Sequence, residues 1–417
     1  MRILFFSHYF PPESNAPAVR THEHCKRWAV AGHDVTVITC APNCPSGVVY
    51  EGYRNSVYTR ETIDGIDVRR VWTYLAANKG TVRRTLNYLS YMISAWVCSL
   101  FAGRRDVIIA TSPQFFCGWA GVLATLLRRT PFILEIRDIW PESIEAVGAI
   151  RKGPVMRFLG LLERRMYASA RHIITVGEGY RSILVRKGVP ADRISVIMNG
   201  IDPGFFFPRR PNEELARQFN VAGKFVCSYV GTIGMACGLH VVLDAAHKLK
   251  ERGLTDIVFL LIGDGAAREE LEDHARQKNL DNVIFTGRQP RDRIPDLLAL
   301  SDVCLVHLRK TELFSTVMPS KIFEAAAMAK PIINGVAGFA AEFIDRAGSG
   351  INIEPENTEQ LVDALLRLSN DLGLRESLGA AGHGCVLRDF KRDRLAEDYL
   401  RIIERVLSVE GSQSQQR

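Results

Sequence analysis

The sequence is poor in the residues that would tie it to an oxidising compartment or to a metal. Its nine cysteines are scattered over 417 residues without metal-ligand spacing. Cys40 and Cys44 come nearest, and no second pair follows them. Cys227 in FVCSYVG and Cys304 in DVCLVHL sit in apolar strand runs, where a buried reduced thiol is the ordinary state. No secretory signal is visible, because Arg2-Ile3-Leu4-Phe5-Phe6 runs straight into polar His8, and the expected compartment is the reducing cytoplasm. The opening strand lacks a Gly-x-Gly-x-x-Gly: SHYFPPESNAPAVR contains no glycine, which counts against a nicotinamide-dependent oxidoreductase. No RNA- or DNA-binding motif accompanies the net charge of +7, so nucleic acid ranks below lipid headgroups and diphosphates as the partner of the arginine pairs at 83–84, 104–105, 128–129, 164–165 and 209–210.

What is present is an average globular composition, 47% apolar and 24% charged, on a chain long enough for two α/β domains of about 200 residues each. RILFFSHYF, HDVTVITC, IDVRRVWT, DVIIATS, PFILEIRD, HIITVG and ISVIMNG are short, branched and apolar. Helical patterns over 16–31, 112–128, 154–170 and 180–187 lie between them. Fully apolar strands alternating with amphipathic helices predict a parallel sheet covered on both faces. Turn chemistry at Asn199-Gly200-Ile201-Asp202-Pro203 breaks the pattern, and a second alternation follows: KFVCSYVG, DIVFLLIG, NVIFTG, DVCLVHL and KPIING. Two Rossmann-like lobes joined by a hinge near 199–211, with a cleft between them, are the expectation. Ligands in such sheets bind beyond the carboxyl ends of the strands.

Residues 85–102 form the most apolar long run, bracketed by arginine pairs. Length alone would permit spanning, but spanning would cut one sheet in two. A buried helix and partial insertion into one leaflet remain, the latter suited by Tyr88, Tyr91, Trp96 and the flanking arginines. Residues 114–127 extend the same surface.

Three strand ends of the second half carry glycine turns: Gly231-Thr232-Ile233-Gly234, Gly263-Asp264-Gly265, and Gly287 before Arg288. Such loops let backbone N–H groups approach a diphosphate, and each alone is equally an ordinary tight turn. The stretch TELFSTVMPSKIFEAAAMAKP is more specific. Pro319 suits the first turn of a helix, Ser320 and Lys321 stand at its start, and Glu324 one turn on is placed to accept ribose hydroxyls; a solvated helix glutamate is the alternative for Glu324.

This stretch resembles the retaining nucleotide-sugar glycosyltransferases of family 4, which have the GT-B fold: α/β, two facing Rossmann-like domains with parallel sheets. Glu324 and EAAAMAKPII match the second half of the family's paired-glutamate signature. HYFPPESNAPAVRTHEHCKRWAVAGHDVTVIT resembles the opening of its acceptor lobe. EIRDIWPES and NGID resemble the subgroup that builds O-antigen and capsule repeats, of the N-acetyl-L-fucosamine transferase type. The resemblance implies an acceptor-binding domain at 1–200, a nucleotide-sugar-binding domain at 201–390, a helix at 391–409 packing back on the first domain, and a flexible tail at 410–417. It departs in three places. The first glutamate of the pair falls at Thr316. The usual Arg and Lys after the glycine turn fall at Thr232 and Cys237. The acceptor-lobe histidine is replaced near Arg137-Asp138.

From this resemblance the donor is a UDP-sugar co-substrate, with no other cofactor and no metal, there being no clean Asp-x-Asp motif. The donor contacts expected are Gly231, Thr232, Ile233, Gly234, Gly263, Asp264, Gly265, Arg288, Arg309, Ser320, Lys321 and Glu324. Lys321 is favoured over Arg288, Arg309 and Lys310 for neutralising the diphosphate, aided by the Gly231–Ile233 amides. Asp138, Lys321 and Glu324 are the expected catalytic residues, and His8, Asn15, Arg20, Arg137 and Glu142 the acceptor contacts. The acceptor expected is a polyprenyl-diphosphate-linked saccharide at the inner face of the cytoplasmic membrane. Asp138 as a helix N-cap and Glu142 as a surface carboxylate stand as alternatives. A nucleotide-sugar 2-epimerase of the same fold and a non-catalytic sugar or lipid binder are the rival functions.

Overall fold

A computed structural model describes residues 1–44, 46–76, 81–112, 115–140, 142 and 153–414. Gln114, Pro141 and Ser143, used in the sequence reading, lie outside the described residues. The chain divides into two compact units, Met1–Met198 with Arg392–Arg417, and Asn199–Lys391.

Unit 1 is built on eight strands: β1 (Arg2–Phe6), β2 (Asp34–Cys40), β3 (Tyr58–Ile63), β4 (Ile66–Val71), β5 (Val107–Thr111), β6 (Phe132–Ile136), β7 (His172–Thr175) and β8 (Ile194–Val196), in the order β3-β4-β2-β1-β5-β6-β7-β8. All neighbours pair in parallel except β3 with β4. The sheet is parallel as expected, with this one antiparallel pair added at its edge. Asp64-Gly65, both with positive φ, close a two-residue hairpin that the dipeptide itself signals. The hairpin's polar, exposed β3 blunts one edge of the sheet.

Around this sheet stand α1 (Ala16–Val30), α2 (Thr81–Leu100), α3 (Phe115–Arg128), α4 (Pro154–Ser169), α5 (Glu178–Arg186) and, from the far end of the chain, α14 (Arg392–Ser414). Asn15 caps α1, its Oδ1 accepting from Ala18 N–H at 2.9 Å. Ala18, Thr21, Cys25 and Trp28 form the buried stripe of α1. Leu395, Ala396, Tyr399, Ile402, Ile403 and Val406 repeat the three-four spacing on α14 and join the same core. Trp28 Nε1 donates to the Ala396 carbonyl at 3.0 Å, satisfying the indole of a side chain whose burial stabilises by about 1.5–3 kcal/mol.

Unit 2 carries six parallel strands, β9 (Phe225–Val230), β10 (Ile257–Ile262), β11 (Val283–Gly287), β12 (Val303–His307), β13 (Ile332–Gly335) and β14 (Gly350–Asn352), in the order β11-β10-β9-β12-β13-β14. Its helices are α6 (Glu213–Gln218), α7 (His240–Glu251), α8 (Arg268–Gln277), α9 (Ile294–Ala299), α10 (Lys321–Ala327), α11 (Phe339–Ala347), α12 (Thr358–Asn370) and α13 (Leu372–Asp389). β10, one strand in from the β11 edge, is buried throughout, which is why IVFLLI reads as a continuous apolar run.

Among the described residues no helix is long and apolar enough to cross a membrane. The 85–102 run falls mostly on α2, which splits into two faces. Tyr91, Ala95 and Cys98 are buried, while Leu86, Ile93, Val97 and Leu100, with Phe101 just beyond, are exposed. Arg128 ties the end of α3 to this helix by donating to the Leu100 carbonyl at 2.9 Å. Exposed Leu126 and Leu127 of α3 thereby flank the end of α2.

Candidate active site

In a doubly wound sheet the crevice opens where the strand order reverses. In unit 2 that point lies between β9 and β12. The chain leaves β9 through Gly231, β10 through Gly263 and β11 through Gly287, and the first two turns interlock. A Cβ on Gly263 would stand 1.9 Å from the Gly231 carbonyl oxygen, and one on Gly265 2.4 Å from that of Ile233. Gly231 N–H donates to Ile262 O at 2.9 Å, Ile233 N–H to Asp264 O at 3.0 Å, and Gly263 N–H to Gly287 O at 3.1 Å. The glycines are therefore needed for contact between turns, and the amides of Gly231 and Ile233 are engaged inside the fold. That corrects the expectation that those two amides hold a diphosphate. Asp264 turns its carboxylate onto its own loop, accepting from Gly265 N–H at 2.8 Å.

Lys321, the first residue of α10, brings its ammonium to this floor. Its Nζ lies 3.5 Å from the centroid of the Tyr229 ring, and a Cβ on Gly231 would stand 3.2 Å from it. Burial pushes the ammonium down to about 8, opposed by Cys237 and Glu324. An ammonium on an aromatic face and poorly hydrated is a cation ready for an anion. Pro319 precedes the helix rather than lying in its first turn, and Ser320 holds the N-cap position with no side-chain capping bond. Glu324 is half-buried on α10. Thr316 is buried and hydrogen-bonded to Leu313 O at 2.6 Å, so no carboxylate stands where the family signature has its first glutamate.

Arg288 is exposed after β11. Arg309 is exposed after β12, its Nε 3.9 Å from Glu356. Lys310 pairs with Glu354 at the surface. Thr232 accepts at its carbonyl from Tyr229 Oη at 2.8 Å and Cys237 Sγ at 3.1 Å. Gly234 opens the single turn Met235–Cys237. Sequence reasoning missed Tyr229, the platform under Lys321, and His307, the last residue of β12. A polar ring closing an otherwise apolar strand was the available signal for His307.

In unit 1 the order reverses between β1 and β5, and polar side chains replace glycines there. Glu135, buried on β6, accepts from Thr111 Oγ1 at 2.9 Å and from Arg20 Nε at 3.3 Å. Arg20 also donates to the carbonyls of Ile197 and Met198 at 2.8 and 2.9 Å. Arg20 is thus buried and committed to the fold, which corrects its expected contact with an acceptor diphosphate. Asn15 is likewise corrected to a helix cap. Glu142 meets Lys187 Nζ at 2.6 Å, in a cluster with Glu163, so its carboxylate serves the α4–α5 region. His8 is buried with its ring 4.7 Å from Tyr91, 5.0 Å from Tyr9 and 5.5 Å from Tyr88. Burial pushes its imidazole to about 3; it is neutral, with a buried Nδ1 that has no partner among the described residues.

Arg137 differs from Arg20. Its backbone is held by Ser112 Oγ at 3.1 Å, but its Nε and Nη1 are buried with no partner among the described residues. Burial pushes the guanidinium down to about 10, with Glu135 opposing and Arg20 adding to the fall. Asp138 follows, half-buried.

Two family models match most of the chain: the Glycosyl transferase 4-like domain over residues 15–200 and the Glycosyl transferases group 1 family over residues 211–384. The first half and the second half are thus the two domains of a GT-B glycosyltransferase. The chain belongs to the retaining glycosyltransferases of family 4, which transfer hexosyl groups. It is similar to WcaI of Escherichia coli K12, a glycosyl transferase provisionally assigned to colanic acid biosynthesis, with 28% identity over 415 residues covering 95% of this chain and 97% of WcaI. It is 24% identical over 259 residues to the O-antigen chain mannosyltransferase C of Escherichia coli, covering 62% of this chain and 67% of that one. The structure of HepE from Anabaena in complex with UDP and glucose matches with a TM-score of 0.73 at 18% identity, over 97% of this chain and 99% of HepE.

Proposed function

We propose that unit 2 binds a UDP-sugar through Lys321 and that unit 1 presents a lipid-linked saccharide, the sugar passing to it with retention in the assembly of a bacterial surface polysaccharide. The observation that carries this reading is the Lys321 ammonium lying against Tyr229 at the Gly231 turn, at the switch point of a nucleotide-binding type of sheet. The departing diphosphate gains negative charge as the sugar–oxygen bond lengthens. A cation already desolvated and fixed at that place stabilises the change without reorganising. Glu324, one turn along α10, binds the ribose, and Ser320 adds its hydroxyl. Arg288 and Arg309 lie on turns beyond β11 and β12 and take the outer parts of the donor. Thr232 and Gly234 line the first turn, and Gly263, Asp264 and Gly265 support it from the side.

On the acceptor side Arg137 is the anchor. Its unpartnered N–H groups suit an anionic group such as the acceptor's diphosphate. Asp138 next to it positions the acceptor hydroxyl, whose proton leaves to the departing phosphate oxygen. His8, neutral and caged by tyrosines, supplies an uncharged hydrogen-bonding group nearby in the same unit. The colanic acid and O-antigen relatives support a cell-surface product, and an N-acetylated amino or deoxyamino sugar is the donor that the resemblance to the O-antigen and capsule subgroup favours. The exposed apolar residues of α2 and α3, set among arginines, support contact with the anionic inner face of the cytoplasmic membrane.

The test is a screen of UDP-sugars by released UDP, with and without a polyprenyl-diphosphate-linked sugar. Release that requires the acceptor is expected. Release or rearrangement of the donor at equal rate without any acceptor would instead favour an epimerase.

A further inference from the structure

His307 stands at the carboxyl end of β12, inside unit 2, and both of its ring nitrogens are engaged. Nδ1 lies 2.7 Å from the Cys237 carbonyl oxygen, and Nε2 lies 2.8 Å from the Glu356 backbone N–H. A carbonyl can only accept and an amide N–H can only donate. One protonation state satisfies both: the neutral ring with its proton on Nδ1. The ring is also walled in. A Cβ on Gly335 would stand 2.3 Å from its Cδ2, and one on Gly238 3.2 Å from its Cε1. It can neither flip nor withdraw without moving backbone.

The two segments it joins also meet the chain beyond β12, where Arg309 N–H donates to the Ala236 carbonyl at 2.9 Å and Lys310 N–H to a Glu356 carboxylate oxygen at 2.8 Å. The Met235–Cys237 turn follows Thr232, whose carbonyl receives the Cys237 thiol. Glu356 is held with φ of +66°, a conformation that a non-glycine residue keeps only when its surroundings impose it. We propose that His307 is a positioning residue for donor binding: as a neutral clamp it fixes the Thr232–Cys237 turn against the Glu356 loop, and so sets the shape of the floor beside Lys321. This rests on the reading that unit 2 binds the nucleotide there.

The groups facing the ring set its protonation. Lys321 on α10 disfavours the imidazolium, as does burial, while Glu356 beyond β14 and the Cys237 carbonyl beyond β9 favour it. Beyond β12, Arg309 lies near Glu356 and Lys310 pairs with Glu354. The thiol of Cys237 lies in the clamped turn itself. Burial leads, and the ring's titration falls below the ordinary 6.5. Protonation would set an Nε2–H against the Glu356 N–H and open the clamp. The nucleotide site is then predicted to loosen at acid pH, while the charge of Lys321 is lost only on the alkaline side.

The experiment uses the full chain with UDP as the probe, titrated calorimetrically between about pH 5 and pH 7.5, beside amide exchange of the peptides containing 232–238 and Glu356. His307→Ala is expected to weaken UDP binding about tenfold at neutral pH, to speed exchange in both peptides, and to flatten the acid-side loss seen in the wild type. His307→Asn, which restores a donor to the Cys237 carbonyl, should recover most of the affinity. His307→Gln, which restores only the far acceptor, should recover less. Faster exchange with UDP affinity and its pH profile unchanged would reduce His307 to a structural residue and overturn the proposal. Exchange at wild-type rates in all variants would overturn the clamp itself. A wild type that binds no UDP at any pH, with exchange still responding, would overturn the donor reading and the positioning role with it.

Discussion

At the reversal between β9 and β12 the chain uses glycine, and at the reversal between β1 and β5 it uses charge. The unit 2 turns touch backbone to backbone, with Gly263 too close to Gly231 for any side chain, and a single lysine reaches in from the neighbouring helix. In unit 1 the same sheet position is crowded by Arg20, Glu135, Arg137, Thr111 and Ser112. There most polar atoms already serve each other. One topology thus supports two kinds of site: a floor of fixed turns with one desolvated cation, and a buried ionic network in which Arg137 keeps N–H groups without a partner among the described residues. Leaving buried N–H groups unpaired is expensive, which is why the proposed acceptor contact is given to Arg137 and not to Arg20.

The sharpest way to break this contrast is Lys321→Met. Loss of the cation that meets the leaving diphosphate should lower kcat/KM by about a hundredfold or more. Because burial holds the ammonium's titration at about 8, below its unfolded value of 10.5, the folded state bears a cost for the charge at every pH below about 8. Lys321→Met should therefore melt at the same temperature as the wild type or higher, while losing activity. The wild-type rate should fall as pH rises through about 8, a limb absent from the variant's residual activity. Equal activity in the variant would remove Lys321 from the mechanism.

Next come the two arginines of unit 1, which the comparison places in opposite roles. Arg20→Ala strands Glu135 in the core and is expected to destabilise by about 3–5 kcal/mol, with folded protein retaining its KM for the acceptor. Arg137→Ala removes a guanidinium whose Nε and Nη1 have no partner among the described residues, and should leave thermal stability near that of the wild type while raising the acceptor KM about tenfold or more. The reverse pattern, measured by melting curves and acceptor titration, would exchange the assignments.

The smallest effect concerns the apolar end of α2 and α3. Phe101→Ser with Leu127→Ser should weaken co-flotation with anionic liposomes several-fold, since shallow insertion recovers only a small part of the about 1.5–3 kcal/mol that full burial of an apolar side chain gives. Turnover of a short, water-soluble acceptor should not change. Undiminished flotation would move the membrane contact elsewhere.

Much of this was legible in the sequence. Apolar runs of strand length alternating with amphipathic helices defined both sheets, and Asn15, Pro319 and the glycine-ended strands marked turns by chemistry that acts over a few residues. The β3–β4 hairpin escaped the sequence reading, although Asp64-Gly65 is its turn signal, because β3 is polar and exposed and lacks the apolar signature used for the others. Roles assigned to single polar residues fared differently. Asn15 caps a helix, Arg20 is locked to Glu135 from 115 residues away in sequence, and the Gly231 and Ile233 amides bond to neighbouring turns.

The local code, in which backbone conformation and apolar period act over a turn or a strand, is what the sequence alone determined: the α/β alternation, the strand-end glycines and the start of the Lys321 helix. Only tertiary structure decided which polar groups remain available. Hydrogen bonds are short-ranged and saturable, so whether Arg137 or Arg20 is satisfied, and whether His307 is a bystander or a clamp, depends on partners from distant segments that no spacing rule brings together.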